Sequence, residues 1–272
     1  MKLNLNTNKI FTNLIAVFIV TLAGFILCSI TTILIKGMPN FGSSLLSREI
    51  QFAIKLSFFT SVISTLMCII FSIPVAYGMV RLNFPGKRLV NTILEIPMAL
   101  PPIVAGVALL ILFGNTAFGN FLSDAGLKFV FTVQGIIMAQ FFVNVPYMLR
   151  IIKATVEDID PRLEFVARTL GCNRMQSFFK VTLPLAKNGL LAGIVITWAR
   201  AIGEFGAALM LAGATRLKTE TLPVSLFLNM STGDLELAMA AASILIIISL
   251  LSLFAFQYFG GTRPEQSRAN II

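Results

Sequence analysis

Residues 150–187 read RIIKATVEDIDPRLEFVARTLGCNRMQSFFKVTLPLAK, a polar island between two long apolar runs, and its reading decides that of the whole chain. It holds seven of the 21 Lys and Arg and four of the 12 Asp and Glu. Asp160 is placed to cap a helix whose first position is Pro161, where a missing N–H costs nothing. Leu163, Val166, Ala167 and Leu170 then recur at i, i+3, i+4 and i+7, and Gly171 stands where a left-handed helix stop belongs. Met175, Phe178 and Phe179 suggest a second short amphipathic piece, after which Leu183 and Pro184 end the loop and open the next apolar span. The spacing predicts helix, glycine turn, helix, with Arg162, Glu164, Arg168, Arg174 and Lys180 on the charged face. Such a module either lies in a membrane interface or offers itself to a partner protein.

Around the island the chain is apolar. Of 272 residues 57% are hydrophobic and 12% charged, against about 25% charged in a soluble domain. Charge-free windows cover 10–35, 56–80, 96–123, 129–149 and 237–262, and a sixth apolar segment, 188–215, is broken only by Arg200 and Glu204. A helical crossing takes about 20 apolar residues, so an all-α integral membrane protein with six transmembrane helices is expected. The segments 1–9, 81–88, 150–187 and 263–272 hold 14 of the 21 basic residues. That asymmetry puts them, and both termini, on the cytoplasmic side. The net charge of +9 is then mostly topogenic and argues for no nucleic-acid partner. The first span is too long for a signal-peptide core and lacks a small-residue cleavage site, so it is expected to remain as a helix. Cys28, Cys68 and Cys172 have no evident partners, histidine is absent, and neither metal-ligand spacing nor a Gly-x-x-x-x-Gly-Lys-Ser/Thr phosphate loop occurs. If nucleotide energy is used, another polypeptide must bind the nucleotide.

Two spans carry unusual residues. Arg200 and Glu204 fall at mid-span, where each charge costs about 2.5–3.5 kcal/mol. Their i, i+4 spacing puts them on one helix face, as a self-neutralising structural pair or as part of a path. Ala199, Gly203 and Ala207 form a small-residue ridge suited to close helix packing. Pro97, Pro101 and Pro102 are expected to break the third span early, which is tolerated where the freed backbone is buried or lines a cavity. Glu95 beside them either snorkels or pairs with a basic residue.

EFVARTLG, nine residues after Gly171, and then VTLP resemble the cytoplasmic loop motif of ABC importer permeases. Phe165 stands at the motif's Glu position, with Glu164 one residue earlier, and Val166 replaces its first Ala. The sequence from Trp198 to Ala207, WARAIGEFGA, looks like the ARxxGEFGA pattern of the permeases for sulfate, molybdate and tungstate, and Pro97 to Gly106 resembles the Pro-rich entry of that branch. The likeness covers about residues 50 to 206. It implies a type I ABC importer transmembrane domain: an N-terminal helix and external loop (1–50), a permease core (51–260) with the coupling loop at 150–187, and a cytoplasmic tail (261–272).

It further implies that Leu163, Glu164, Val166, Ala167, Leu170, Gly171, Leu183 and Pro184 couple to a cytoplasmic ATPase, the loop helix sitting in a groove of that subunit. Pro97, Pro101, Arg200, Gly203, Glu204 and Gly206 then belong to the path or gate. No cofactor is expected in this chain, since ATP and Mg would be bound by the partner ATPase. The implied partners are a second copy of the chain in a homodimer, two ATPase subunits, an external oxyanion-binding protein and membrane lipid, in the plasma membrane of a prokaryote. The bilayer windows hold no strong cluster of Arg or Lys, which suits a gated path whose affinity resides in the external protein. Molybdate or tungstate is expected first, because one permease can form the whole channel in that branch, and sulfate second. A proton-coupled secondary transporter using Arg200 and Glu204 is the rival from another class, though no inverted repeat is visible. An intramembrane enzyme is poorly supported, since no nucleophile–base pair can be assembled.

Overall fold

The computed structural model describes residues 3–39 and 41–260 and is helical throughout, so the cytoplasmic tail predicted at 261–272 lies outside the described residues. In chain order the helices are α1 (Leu3–Gly37), α2 (Phe41–Leu45), α3 (Arg48–Arg81), α4 (Lys87–Ala99), α5 (Pro102–Gly114), α6 (Ala117–Asp124) and α7 (Val133–Glu157). Then come α8 (Pro161–Thr169), α9 (Arg174–Ser177), a π-helical turn (Phe178–Thr182), α10 (Leu183–Ile202), α11 (Gly206–Ala212), α12 (Leu222–Thr232) and α13 (Leu235–Gly260). Among the described residues five helical stretches are long and apolar enough to cross a membrane, or six if α4 and α5 form one bent span.

The third span is broken, as its prolines predict, and so is the fifth, which had no such signal. Leu100–Pro101 separates α4 from α5, and the two helices meet at 111°. The cause is the expected one: Pro101 and Pro102 offer no N–H to a continuing helix, and residues before proline avoid the α region. The fifth span stops at Ile202 and restarts at Gly206. Conversely, no helix break marks Leu183 and Pro184. Helix runs without interruption from Arg174 to Ile202, because the π turn offsets the register where Pro184 would otherwise clash with the carbonyl four residues back.

Three apolar clusters hold the bundle. One joins α3, α5, α7 and α11 through Leu56, Ala105, Leu109, Ile136 and Leu211. A second joins α3, α7 and α10 through Cys68, Met148, Ile152 and Ala186. The third ties α3 and α10 to α12 and α13 through Ile50, Ile202, Leu222 and Ile244. The hydropathic α3 also hides a polar face: Ser57, Thr60, Ser61, Ser64, Thr65 and Ser72 are all buried. Ser57 Oγ accepts from the Leu222 N–H at 2.7 Å, and Thr60 Oγ1 accepts from Gln140 Nε2 at 3.2 Å. Hydrogen bonds between membrane helices contribute about 0.6–2 kcal/mol each, so this face directs pairing as well as filling space.

Candidate functional site

The charged module at 150–187 forms as its sequence predicts at both ends of α8. Asp160 caps α8 by accepting the Arg162 N–H at 2.9 Å, and Pro161 takes the first turn. Gly171 closes the helix at φ +94°, a conformation that side chains penalise. Asn173 and Gln176 then make a reciprocal capping box that starts α9.

Glu164 is the correction. It does not sit on a solvent face with Arg162 and Arg168 but is buried, 8% exposed, against the end of α3. Arg81 Nε donates to its Oε1 at 2.8 Å and the Tyr77 hydroxyl donates to its Oε2 at 2.9 Å. Arg81 also donates to the Ile159 carbonyl at 2.8 Å, and Ser177 Oγ donates to the Glu164 carbonyl at 3.2 Å. Burial pushes the Glu164 carboxyl up, but the Arg81 and Tyr77 bonds outweigh it and hold the group below the usual carboxylate value. Glu164 is therefore a strut that fixes α8 to the membrane body. What α8 leaves exposed is Leu163, Phe165, Val166 and Leu170, the last 80% exposed, with Ala167 half-buried beneath them. Phe165, the departure from the family motif, is also exposed but on the other side of the helix, beside Tyr77, Arg81 and Glu164. Leu183 is half-buried and Pro184 lies in the first turn of α10, both in the membrane helix rather than on the exposed face.

The residues expected in a path or gate form a second locality, where the two helix breaks abut. A Cβ on Gly206 would lie 3.0 Å from the Pro102 Cβ, and one on Gly106 would lie 2.7 Å from the Ala207 carbonyl oxygen. The Pro97–Gly106 and Trp198–Ala207 stretches thus pack on each other, with Gly106 required by the close approach. Arg200 and Glu204, read as a self-neutralising pair or as part of a path, make no direct ion pair, although Arg200 lies near enough for its charge to act on Glu204. The helix stops between them at Gly203, and Glu204 Oε1 instead accepts the Ala207 N–H at 2.9 Å, capping α11. The Arg200 guanidinium lies 3.7 Å over the Tyr147 ring centroid, a cation–π contact with α7. The same break interrupts the expected Ala199–Gly203–Ala207 ridge: Ala207 is buried against Gly106 while Gly203 is exposed. Pro97 is buried at the end of α4, and Pro101 precedes α5. Glu95 pairs as one of its two readings had it, lying 3.4 Å from Arg150 and 3.8 Å from Lys153 on α7.

Sequence reasoning missed Gln140. Its Nε2 donates to the Ala201 carbonyl at 2.9 Å as well as to Thr60, pinning α10 at its next-to-last residue, just before the break. A Gln and an Asn four residues apart in an uncharged window, Gln140 and Asn144, were the available signal. It also missed Glu220, wholly buried in the loop before α12, which accepts the Leu217 N–H at 3.0 Å and lies 3.6 Å from Arg216. Cys28, Cys68 and Cys172 are free thiols.

A membrane bundle whose two broken helices meet break to break has the build of a transport protein rather than of an anchor. Residues 69–261 match the family described as binding-protein-dependent transport system inner membrane component, and the chain belongs to it. It is the permease subunit of an ABC importer, a multi-pass protein of the inner membrane and a transport component rather than an enzyme. The sulfate transport system permease protein CysT of Salmonella typhimurium is 34% identical over 208 residues, 76% of this chain and 75% of that protein. The molybdenum transport system permease protein ModB of Mycobacterium tuberculosis is 31% identical over 239 residues, 86% of this chain and 90% of that one. Among solved structures, a bacterial alginate ABC transporter in complex with its pentasaccharide-bound periplasmic protein shares the fold with a TM-score of 0.69 at 19% identity, covering 90% of this chain and 92% of that chain. A MetNI methionine ABC transporter chain shares it at 0.60 and 19% identity, covering 79% and 98%.

Proposed function

We propose that this permease imports a tetrahedral oxyanion, molybdate or tungstate before sulfate, delivered by an external binding protein and driven by two cytoplasmic ATPase subunits. Two copies of the chain surround one path, with the termini and the 150–187 loop on the cytoplasmic side. The observation that carries the reading is the face of α8. Leu163, Val166 and Leu170 stand exposed on one face of a helix clamped to α3 through Arg81 and Glu164, an arrangement suited to transmitting force to a docked subunit rather than lying slack in an interface. Its relatives include permeases named for sulfate and for molybdenum, and the choice of molybdate or tungstate rests on the single-permease build of that branch. Arg200 and Glu204, engaged separately by Tyr147 and Ala207, serve as structural charges beside the path and not as proton carriers. The test is reconstitution with the ATPase and binding protein in vesicles, with uptake of molybdate, tungstate and sulfate measured with and without ATP. ATP-dependent uptake unaffected by collapsing the proton gradient is expected. Uptake that needs the gradient and no ATP would sink the reading in favour of a secondary transporter.

A further inference from the structure

Away from α8, a cavity of about 1080 Å³ opens between the end of α3, the start of α4 and the end of α7. Lys87, Arg88 and Lys153 line it with Asn91 and Thr92, against one carboxylate, Glu157. Lys153 is already engaged: its Nζ donates to Asn91 Oδ1 and lies 3.8 Å from Glu95. Lys87 uses one donor on the Leu82 carbonyl at 2.9 Å, and Arg88 is exposed, so these two carry the cationic excess. Opposite them the wall is apolar, with Met79, Val80 and Phe84. The helix that carries the cations is amphipathic. Leu89, Val90, Ile93 and Ile96 are exposed on one side, while Asn91 and Glu95 face α7. Because α4 meets α5 at 111°, it lies nearer the membrane plane than the normal if α5 crosses upright.

We infer that this cavity is a binding site for a tetrahedral oxyanion at the cytoplasmic mouth of the permease. The placement on that side rests on the importer reading above. The Thr92 hydroxyl is spent on the Arg88 carbonyl and one Asn91 N–H on Glu95, so the donors left to a ligand are the remaining Lys87 N–H groups, the Arg88 guanidinium fork and the second Asn91 N–H, a cationic set that suits an anionic group with several oxygens. Basic pockets of this kind beside membrane helices on the cytoplasmic side hold phospholipid head groups, and a free sulfate or molybdate ion presents the same chemistry. The apolar wall and the volume leave room for a glycerol backbone or for hydration water.

The experiment uses the intact permease–ATPase complex in nanodiscs. In one arm the discs contain phosphatidylcholine alone, and sulfate and molybdate are titrated calorimetrically. In the other arm phosphatidylglycerol is added, and the lipid retained by the complex is counted by native mass spectrometry. The wild type is compared with Lys87→Gln/Arg88→Gln and with Lys218→Gln, an equally exposed cation elsewhere. We expect a saturable site in one arm or both, weakened about tenfold or more in the double variant and unchanged in the control. A response in the first arm alone identifies a free ion, and one in the second alone a head group. Equal binding by wild type and double variant in both arms overturns the inference, as does no saturable binding at all. ATP-dependent uptake by the same variants, reconstituted with the binding protein in sealed vesicles, keeps this failure separate from a failure of the importer reading. Arg88→Gln alone, at an exposed position, serves if the double variant unfolds.

Discussion

Arg81 closes the last turn of α3 with two tasks, the Glu164 carboxylate and the Ile159 carbonyl, which lie on either side of the start of α8. Removing one partner of a largely buried pair leaves the other uncompensated, so Arg81→Met is expected to destabilise the permease by about 3 kcal/mol, and adding Glu164→Gln to recover part of that loss. Thermal unfolding of the purified chain checks it, and a double variant no better than the single refutes the strut. The pH dependence follows from the lowered Glu164 carboxyl. Its stabilisation is complete above the unfolded carboxylate's value, about 4.3, and is lost as pH falls through the lower folded value. The difference in stability between wild type and Glu164→Gln should therefore shrink in acid. Gly171 makes a separate case, since no atom lies within 4 Å of a Cβ built there and only its φ of +94° opposes a side chain. Gly171→Val should cost about 1–2 kcal/mol through strain, and Gly171→Asn less. Both should slow transport-coupled ATP hydrolysis in proportion. Normal assembly and hydrolysis in the valine variant would mean that α8 does not couple. Asp160, Pro161 and Gly171 were legible in sequence because caps and stops are local. The partner of Glu164 was not, since it lies 83 positions upstream and no helical wheel carries that information.

At the scale of elements, proline reported its effects unevenly. The break before α5 could be read from Pro101 and Pro102, whereas Pro184 also signalled an end and the helix absorbed it through a π turn. A hydrogen-bond register can shift by one residue without any mark in composition. The break between α10 and α11 was also hidden, because an i, i+4 charge pair reads as continuous helix. Since Arg200 rests on Tyr147 and Glu204 caps α11, the main contacts of the two side chains are separate and only a through-space charge interaction links them. Arg200→Met and Glu204→Leu should then be close to additive in stability, coupled by no more than about 0.5 kcal/mol. Glu204→Gln, which keeps an acceptor for the Ala207 N–H, should be milder than Glu204→Leu. A double-mutant cycle by thermal unfolding of the complex decides between this and direct neutralisation, which would make the double variant better than either single one. The polar face of α3 escaped the sequence reading for a related reason. Ser and Thr barely lower hydropathy, so a buried seam made of them looks like any apolar span.

For the whole molecule, the question is which apolar surface meets lipid and which would meet a second copy under the proposed dimeric arrangement. The window of α1 that could cross the membrane buries none of its residues within the chain, and α1 approaches the body along α13, where a Cβ on Gly37 would lie 2.8 Å from the Met239 carbonyl oxygen. α5 is different: Ala105, Gly106 and Leu109 are buried toward α7 and α11, while Ile103, Val104, Val107 and Ile111 are exposed on its other side, next to the abutting breaks. If the breaks border a path on a twofold axis, that second side of α5 faces the other copy. Val107→Cys, in a chain with Cys28, Cys68 and Cys172 replaced by Ala, should give symmetric disulfide dimers in membranes on mild oxidation. Phe18→Cys on the exposed face of α1 should give few. The same pair also tests the importer architecture, because a symmetric contact at α5 places the two sets of breaks across one axis. Efficient crosslinking through Phe18→Cys with none through Val107→Cys would put α1 at the centre, and the broken helices could then no longer share a single path.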